Sequence, residues 1–237
     1  MEPGQQLMSV LVIIPARGGS KRIPGKNTKD FLGAPVISYP IRAAIESGCF
    51  NEVMVSTDDD SIAGVAKNFG ASVPFMRSRE NSGDFATTAD VIIEVLETYQ
   101  KLGRTFDSCC CIYPTAPFVT PEMLKEAIQK LNASGADSLV PVTAFSFPVQ
   151  RAMVINNDKL SFNWPEYKNT RSRDLQTFYH DCGQFYLVRT KAFLETKNIF
   201  TGNTIPFIIE ETRVQDIDNE TDWKIAEMKY KLLHGLS

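Results

Sequence analysis

Apolar residues in the first half of the chain fall in short unbroken runs separated by amphipathic stretches. Val10 to Ile14 is uninterrupted, the pattern of a strand buried on both faces, as in a parallel sheet. Residues 53–57, 108–113 and 137–142 predict further strands, and 70–76 a marginal one because of Pro74. Between them, 33–47 reads as a helix stopped by Gly48, with Pro40 either kinking it or marking its first turn. Residues 61–69 predict a second helix. Residues 87–102 set Val91, Ile92, Val95, Leu96 and Tyr99 on one helical face. Thr120-Pro121 opens another helix, as a capping residue followed by Pro at the first helical position. Strands alternating with helices predict an α/β fold with a doubly wound, mostly parallel sheet.

The pattern changes at residue 143. As far as 182 there is no helical periodicity and no comparable apolar run, but there are Pro148, Asn156-Asn157 and Trp164-Pro165. This predicts a β-rich insert that serves substrate or subunit contact. Core patterning resumes at 184–188 and 205–209, and an amphipathic helix over 221–233 closes the chain. The expected division is a core of 8–142 and 183–237 and an insert of 143–182. Residues 1–7, polar and without an apolar signal segment, are expected to be a disordered extension.

Composition narrows the options. Of 237 residues, 43% are apolar, enough for a large core and too many for global disorder. The net charge is −3 and the bases are not gathered into one arm, which argues against nucleic acid. No apolar run approaches the length of a membrane span. The five cysteines, at 49, 109, 110, 111 and 182, do not form a disulfide framework, because adjacent strand residues point to opposite faces. With no Cys-x-x-Cys pair and two histidines, they are not a zinc site either. They read as small core residues of a cytoplasmic protein.

The candidate chemistry begins directly after the first strand. The loop Pro-Ala16-Arg17-Gly18-Gly19-Ser-Lys21-Arg22-Ile-Pro-Gly-Lys26-Asn27 combines glycines with four cations. Glycine lets backbone N–H groups approach a ligand, and clustered cations beside them suit a polyphosphate. The spacing fits neither a P-loop nor the dinucleotide fingerprint. The loop lies at the C-terminal end of its strand, where open α/β sheets bind ligands. The alternative is a solvated glycine-rich turn. Asp216 and Asp218 form a second constellation. Two residues apart in an extended segment, they present two carboxylates on one face. Beside a polyphosphate, Mg2+ is the natural cation to lie between them; alternatively they form a solvated turn that caps the last helix. Asp58-Asp-Asp60 reads as a helix cap, with a metal site as the alternative. Tyr113 opens a loop facing the same crevice. Arg171 to Tyr186 mixes Arg, His180, Gln184 and aromatics, groups that bind carboxylates and sugar hydroxyls, and His180 is equally well read as structural.

The opening motif, together with Ser56-Thr-Asp58, Phe75-Met-Arg77, Tyr113-Pro-Thr-Ala-Pro117 and Asp216-Ile-Asp218, resembles the acylneuraminate cytidylyltransferases from about residue 8 onward. The resemblance implies a Rossmann-like nucleotidyltransferase fold, usually a homodimer whose insert reaches the partner's sugar site. It implies that CTP and a nonulosonic acid give a CMP-sugar and pyrophosphate with Mg2+. By motif, Arg17 and Lys21 hold the triphosphate, with Ala16, Gly18 and Gly19 in the same loop. Asn27, Arg77 and Thr88 serve the nucleoside, and Asp216 and Asp218 the metal. Tyr113 stands where the sialate enzymes have Gln, so sugar choice is expected to differ. Phe147-Pro-Val-Gln150-Arg151 and the segment containing Arg173, His180 and Gln184 look most like the pseudaminic acid branch, which marks Tyr113, Gln150, Arg173, His180 and Gln184 as sugar-site candidates. The competing readings are a synthetase for N-acetylneuraminic, legionaminic or 3-deoxy-octulosonic acid, a UTP- or GTP-dependent transferase, and a non-catalytic nucleotide-binding module.

Overall fold

The computed structural model describes residues 8–236; the expected N-terminal extension over 1–7 lies outside them. In chain order the elements are β1 (Val10–Pro15), β2 (Asp30–Phe31), β3 (Ala34–Pro35), α1 (Ser38–Ser47), β4 (Glu52–Ser56), α2 (Asp60–Asn68), α3 (Thr88–Lys101), β5 (Ser108–Ile112) and α4 (Pro121–Ser134). They continue with β6 (Ser138–Ala144), β7 (Met153–Asn156), β8 (Lys159–Phe162), β9 (Tyr179–Asp181), β10 (Phe185–Arg189), α5 (Thr190–Thr196), β11 (Thr204–Ile208) and α6 (Glu220–His234).

The central sheet has the order β11-β6-β10-β5-β1-β4, with β9 paired to the end of β6. β1 pairs in parallel with both β4 and β5, and β11 in parallel with β6. β10 is antiparallel to both neighbours, so one reversed strand is inserted into an otherwise parallel core. This is the α/β fold expected, made mixed by β10 and β9.

Side-chain alternation divides the core between the two faces of the sheet. Val12, Ile14 and Cys110 pack on one side with α1, α2 and α4 residues such as Ile41, Ala66 and Leu124. Leu11, Ile13, Cys109 and Cys111 pack on the other with Ile92, Val95 and Tyr99 of α3. A third cluster joins Ile23 of the glycine-rich loop to Phe31, Ile217, Trp223 and Ala226. The rings of Phe31 and Trp223 meet edge-on at 5.7 Å.

Three elements differ from the sequence reading. The helix expected from 33 begins at Ser38, because Leu32 (φ 53°) and Gly33 (φ 95°) turn β2 back on β3 first. Pro40 marks the first turn of α1, where its missing N–H costs nothing. The 70–76 segment is not a strand: only Ser72 bridges to Met54, and Pro74 lacks the donor needed to continue. The short helix α5 follows β10 without a sequence signal. Of the acid run, Asp59 caps α2, its Oδ1 accepting from the Ile62 N–H at 3.0 Å. The 145–178 excursion leaves on β6, returns on β9 and carries the β7–β8 hairpin, whose turn places Asn157 and Asp158 at φ 50° and 59°. Among the described residues no helix is long and apolar enough to cross a membrane.

Two outcomes follow from this packing. Burial raises the thiol pKa of Cys109, Cys110, Cys111 and Cys182, which are all free, so iodoacetamide on the native protein should modify Cys49 first. Mass mapping should find the other four labelled only after unfolding. Ile217→Ala should lower unfolding free energy by about 2–5 kcal/mol in denaturant titration, as a large-to-small change in a closed cluster.

Candidate active site

A crevice of about 480 Å³ opens at the C-terminal ends of β1 and β5, the position expected of a ligand site in such a sheet. Pro15, Arg17, Ser20, Lys21, Arg22, Lys26 and Asn27 line it from the glycine-rich loop, Tyr113, Pro114 and Thr115 from the loop after β5, and Asp84, Asp216 and Asp218 supply acids. The two constellations singled out in the sequence therefore face each other.

The loop is held by its backbone. The Ala16 N–H donates to the Ser56 carbonyl at 2.9 Å and the Gly18 N–H to Asp58 Oδ1 at 2.9 Å. A Cβ on Gly18 would lie 2.7 Å from Asp59 Oδ2, so only glycine fits there without moving the cap of α2. Gly19 has nothing within 4 Å of its Cβ position and faces open space. Asn27 is buried, and its Nδ2 donates to the Arg17 carbonyl at 2.9 Å, bracing the loop across its width.

Lys26 ties the two motifs together, with its Nζ donating to the Ile217 carbonyl at 2.7 Å. Burial lowers the Lys26 pKa while Asp218 and Asp216 oppose the change. Arg22 Nη2 lies 2.8 Å from Asp218 Oδ1. Withdrawal from water, reinforced by Asp218, raises the Asp216 pKa against the opposing charge of Lys26. Such a carboxylate pair favours a cation between its members. Arg17 Nη1 and Lys21 Nζ both engage Asp84, at 2.9 and 2.5 Å.

Tyr113 forms the apolar side of the crevice. Its Oη is 2.9 Å from Thr88 Oγ1, and its ring meets Tyr186 edge-on at 5.5 Å. Burial raises its pKa, so it stands as a neutral hydroxyl. Arg77 and Thr88 sit behind the crevice lining. Arg77 is buried, with its guanidinium committed to Ser56: Nε donates to Oγ at 3.0 Å and Nη2 to the carbonyl.

The sugar-site candidates other than Tyr113 do not reach the crevice. Gln184 is buried behind it, its Nε2 donating to the Arg213 carbonyl at 2.6 Å while Oε1 has no partner among the described residues. Gln150 Nε2 donates to the Gln176 carbonyl at 2.8 Å and lines a cavity of the excursion with Trp164, Tyr167 and Phe178. Arg173 lines another cavity there, with Phe145 and Phe147. His180 packs on Phe145 at 4.7 Å, its Nδ1 2.9 Å from the Asp181 carbonyl. Sequence reasoning assigned no role to Asp84 or Thr115. Arg22 and Lys26 enter the sequence reading as part of the cation cluster, and that cluster is the signal that finds them.

Residues 11–229 match the family model described as Cytidylyltransferase. The chain is 42% identical over 229 residues to the pseudaminic acid cytidylyltransferase of Campylobacter jejuni serotype O:2, covering 96% of this chain and 98% of that one. It is 34% identical over 232 residues to the CMP-N,N'-diacetyllegionaminic acid synthase of Legionella pneumophila, covering 95% and 97%. Among solved structures, a CMP:2-keto-3-deoxy-manno-octonic acid synthetase complexed with CTP superposes with a TM-score of 0.67 at 18% identity, over 96% of this chain and all of that one; at that identity the match speaks for the fold. The family match spans nearly the whole chain and includes both faces of the crevice, so this chain belongs to the cytidylyltransferase family of nucleotidyltransferase enzymes.

Proposed function

We propose that this chain activates pseudaminic acid with CTP, giving CMP-pseudaminic acid and pyrophosphate. The observation that carries the reading is the meeting of Arg17 and Lys21 with Asp216 and Asp218 in one crevice beside Tyr113. The 42% identity to the C. jejuni enzyme over nearly full length supports this choice of sugar.

In this reading the anomeric hydroxyl attacks the α-phosphorus of CTP in line, and the bond to the bridging oxygen of pyrophosphate breaks. Such a reaction depends on positioning and charge neutralisation more than on covalent help. Arg17 and Lys21 bind the β- and γ-phosphates and offset charge on the departing pyrophosphate. Asn27 keeps the loop in shape, and Arg77 and Thr88 support the walls of the nucleoside site. Tyr113 offers a neutral hydroxyl and a ring face to the sugar.

Two carboxylates fit magnesium, which takes hard oxygen ligands and completes its shell with phosphate oxygens and water. Among the described residues no set of three His, Cys, Asp or Glu gathers into a protein cage. Asp216 and Asp218 would therefore hold the ion together with the nucleotide. Bound there, Mg2+ would neutralise charge on the phosphate oxygens.

Arg173, Gln150 and His180 lie on or beside the excursion, away from the crevice of their own chain. We assign them to the sugar site of a second copy in a homodimer, with the excursion as the reaching element. Its exposed apolar residues, among them Phe147, Ile155 and Leu160, fit a subunit contact. The five free cysteines fit a reducing compartment such as the cytoplasm.

The reading is tested by pyrophosphate release with each nucleoside triphosphate against pseudaminic, N,N'-diacetyllegionaminic and N-acetylneuraminic acids. CTP with pseudaminic acid should be the fastest pair. A preference for another sugar acid would transfer the assignment to that branch, and a preference for UTP or GTP would overturn the nucleotide. Asp218→Ala should reduce turnover at least about a thousandfold, the scale of a lost metal ligand. Its circular dichroism and melting temperature should stay near wild type, since among the described residues the ion pair of the Asp218 carboxylate is with exposed Arg22, and the backbone N–H that donates to Asp222 is kept in the variant.

A further inference from the structure

Both cations proposed to take the triphosphate are already occupied by one acid. Asp84 Oδ1 lies 2.9 Å from Arg17 Nη1, and Asp84 Oδ2 lies 2.5 Å from Lys21 Nζ. Arg17 Nη1 also donates to the Gly83 carbonyl at 3.0 Å. A carboxylate bridging two cations in this manner reproduces what two phosphate oxygens would do.

The segment bearing Asp84 is firmly attached at both ends and loosely at its tip. On the N-terminal side, Ser78 donates to Glu94 through its N–H at 2.7 Å and its Oγ at 2.9 Å. Asn81 Nδ2 donates to the same carboxylate. On the C-terminal side, Thr87 and Asp90 form the capping box of α3. Between these anchors, the contacts from the tip to the rest of the chain among the described residues are those to Arg17 and Lys21. Phe85, next to Asp84, is 98% exposed. The ion pairs therefore hold the tip over the crevice. Lys21 and then Arg17 keep the Asp84 carboxyl below the usual carboxylate range, so it remains charged. Paired charges exposed to solvent hold weakly, which makes the contact exchangeable.

We propose that Asp84 is an internal stand-in for the triphosphate, holding Arg17 and Lys21 in place in the empty enzyme and displaced when a nucleoside triphosphate enters. The displacement follows from charge. Arg17 and Lys21 cannot keep both a carboxylate and the oxygens of a polyphosphate, and a freed Asp84 beside the anion would be repelled by it. The tip then loses its attachment and swings away from the crevice, leaving both anchors intact. Asp84 is thus a positioning residue. It prevents the two cations from dispersing the loop by mutual repulsion, and it competes with substrate for them. This inference rests on the reading of Arg17 and Lys21 as triphosphate ligands.

Chymotrypsin cleavage after Phe85 reports the tip directly. With Mg2+ and CTP, and no sugar acid, cleavage at Phe85 should accelerate several-fold over the ligand-free enzyme. Inorganic tripolyphosphate with Mg2+ should do the same, because release depends on the phosphates alone. Asp84→Asn keeps the shape and removes the charge. It should be cleaved rapidly without ligand and should bind CTP about three- to tenfold more tightly by calorimetry. Protection of Phe85 by both ligands, or weaker CTP binding by Asp84→Asn, would overturn the proposal. Accelerated cleavage with tripolyphosphate but no binding of CTP would leave Asp84 as the stand-in and sink the cytidylyltransferase reading instead.

Discussion

The site depends on the shared burial of Ile23 and Ile217. One lies in the glycine-rich loop and the other between Asp216 and Asp218, and both are fully buried in the cluster under Trp223. Burying each side chain is worth about 1.5–3 kcal/mol. In an extended segment, an inward Ile217 obliges its neighbours to point outward. The two carboxylates are therefore aimed at the crevice by a hydrophobic contact and need no contact of their own. Lys26 completes the link by donating to the Ile217 carbonyl. The loop cations and the Asp216–Asp218 pair, remote in sequence, thus share one support.

Charge is the second constraint. Cations from the loop stand against acids from two separate segments of the chain. Arg17 and Lys21 rest on Asp84, Arg22 on Asp218, and Lys26 is half-way between salt partner and structural donor. These pairings offset charge within the crevice, which keeps like charges together without unfolding the loop. In the proposed reaction, binding a metal–triphosphate would be an exchange of partners, with anion for anion on the cations and cation for cation on the acids.

Much of this was legible in the sequence because it is local. An unbroken apolar run followed by glycines and cations specifies a buried strand and a cation-rich loop at its C-terminal end, and both are present. The Asp-x-Asp pair was readable from alternation alone. The reversal of β10 was not, since a strand buried on both faces has the same pattern in either direction. The late start of α1 was hidden by apolar residues that belong to the β2–β3 turn. Asp84 had no signal at all: a lone acid in a polar loop acquires meaning only when folding brings Arg17 and Lys21 to it. Gln150, Arg173 and His180 were picked out by motif, but their segment lies off the crevice of its own chain. Gln184, also a sugar-site candidate, is buried and donates to the Arg213 carbonyl.

In the proposed reaction this crevice presents the α-phosphorus of CTP to the anomeric oxygen of the sugar acid while its cations hold the pyrophosphate that leaves. The most direct test uses sugar acid labelled with ¹⁸O at the anomeric position and follows the product by ³¹P NMR. Direct attack places the label in the bridge between sugar and phosphorus of the CMP-sugar and leaves the released pyrophosphate without any. Label missing from that bridge, or found in pyrophosphate, would contradict direct attack at the α-phosphorus.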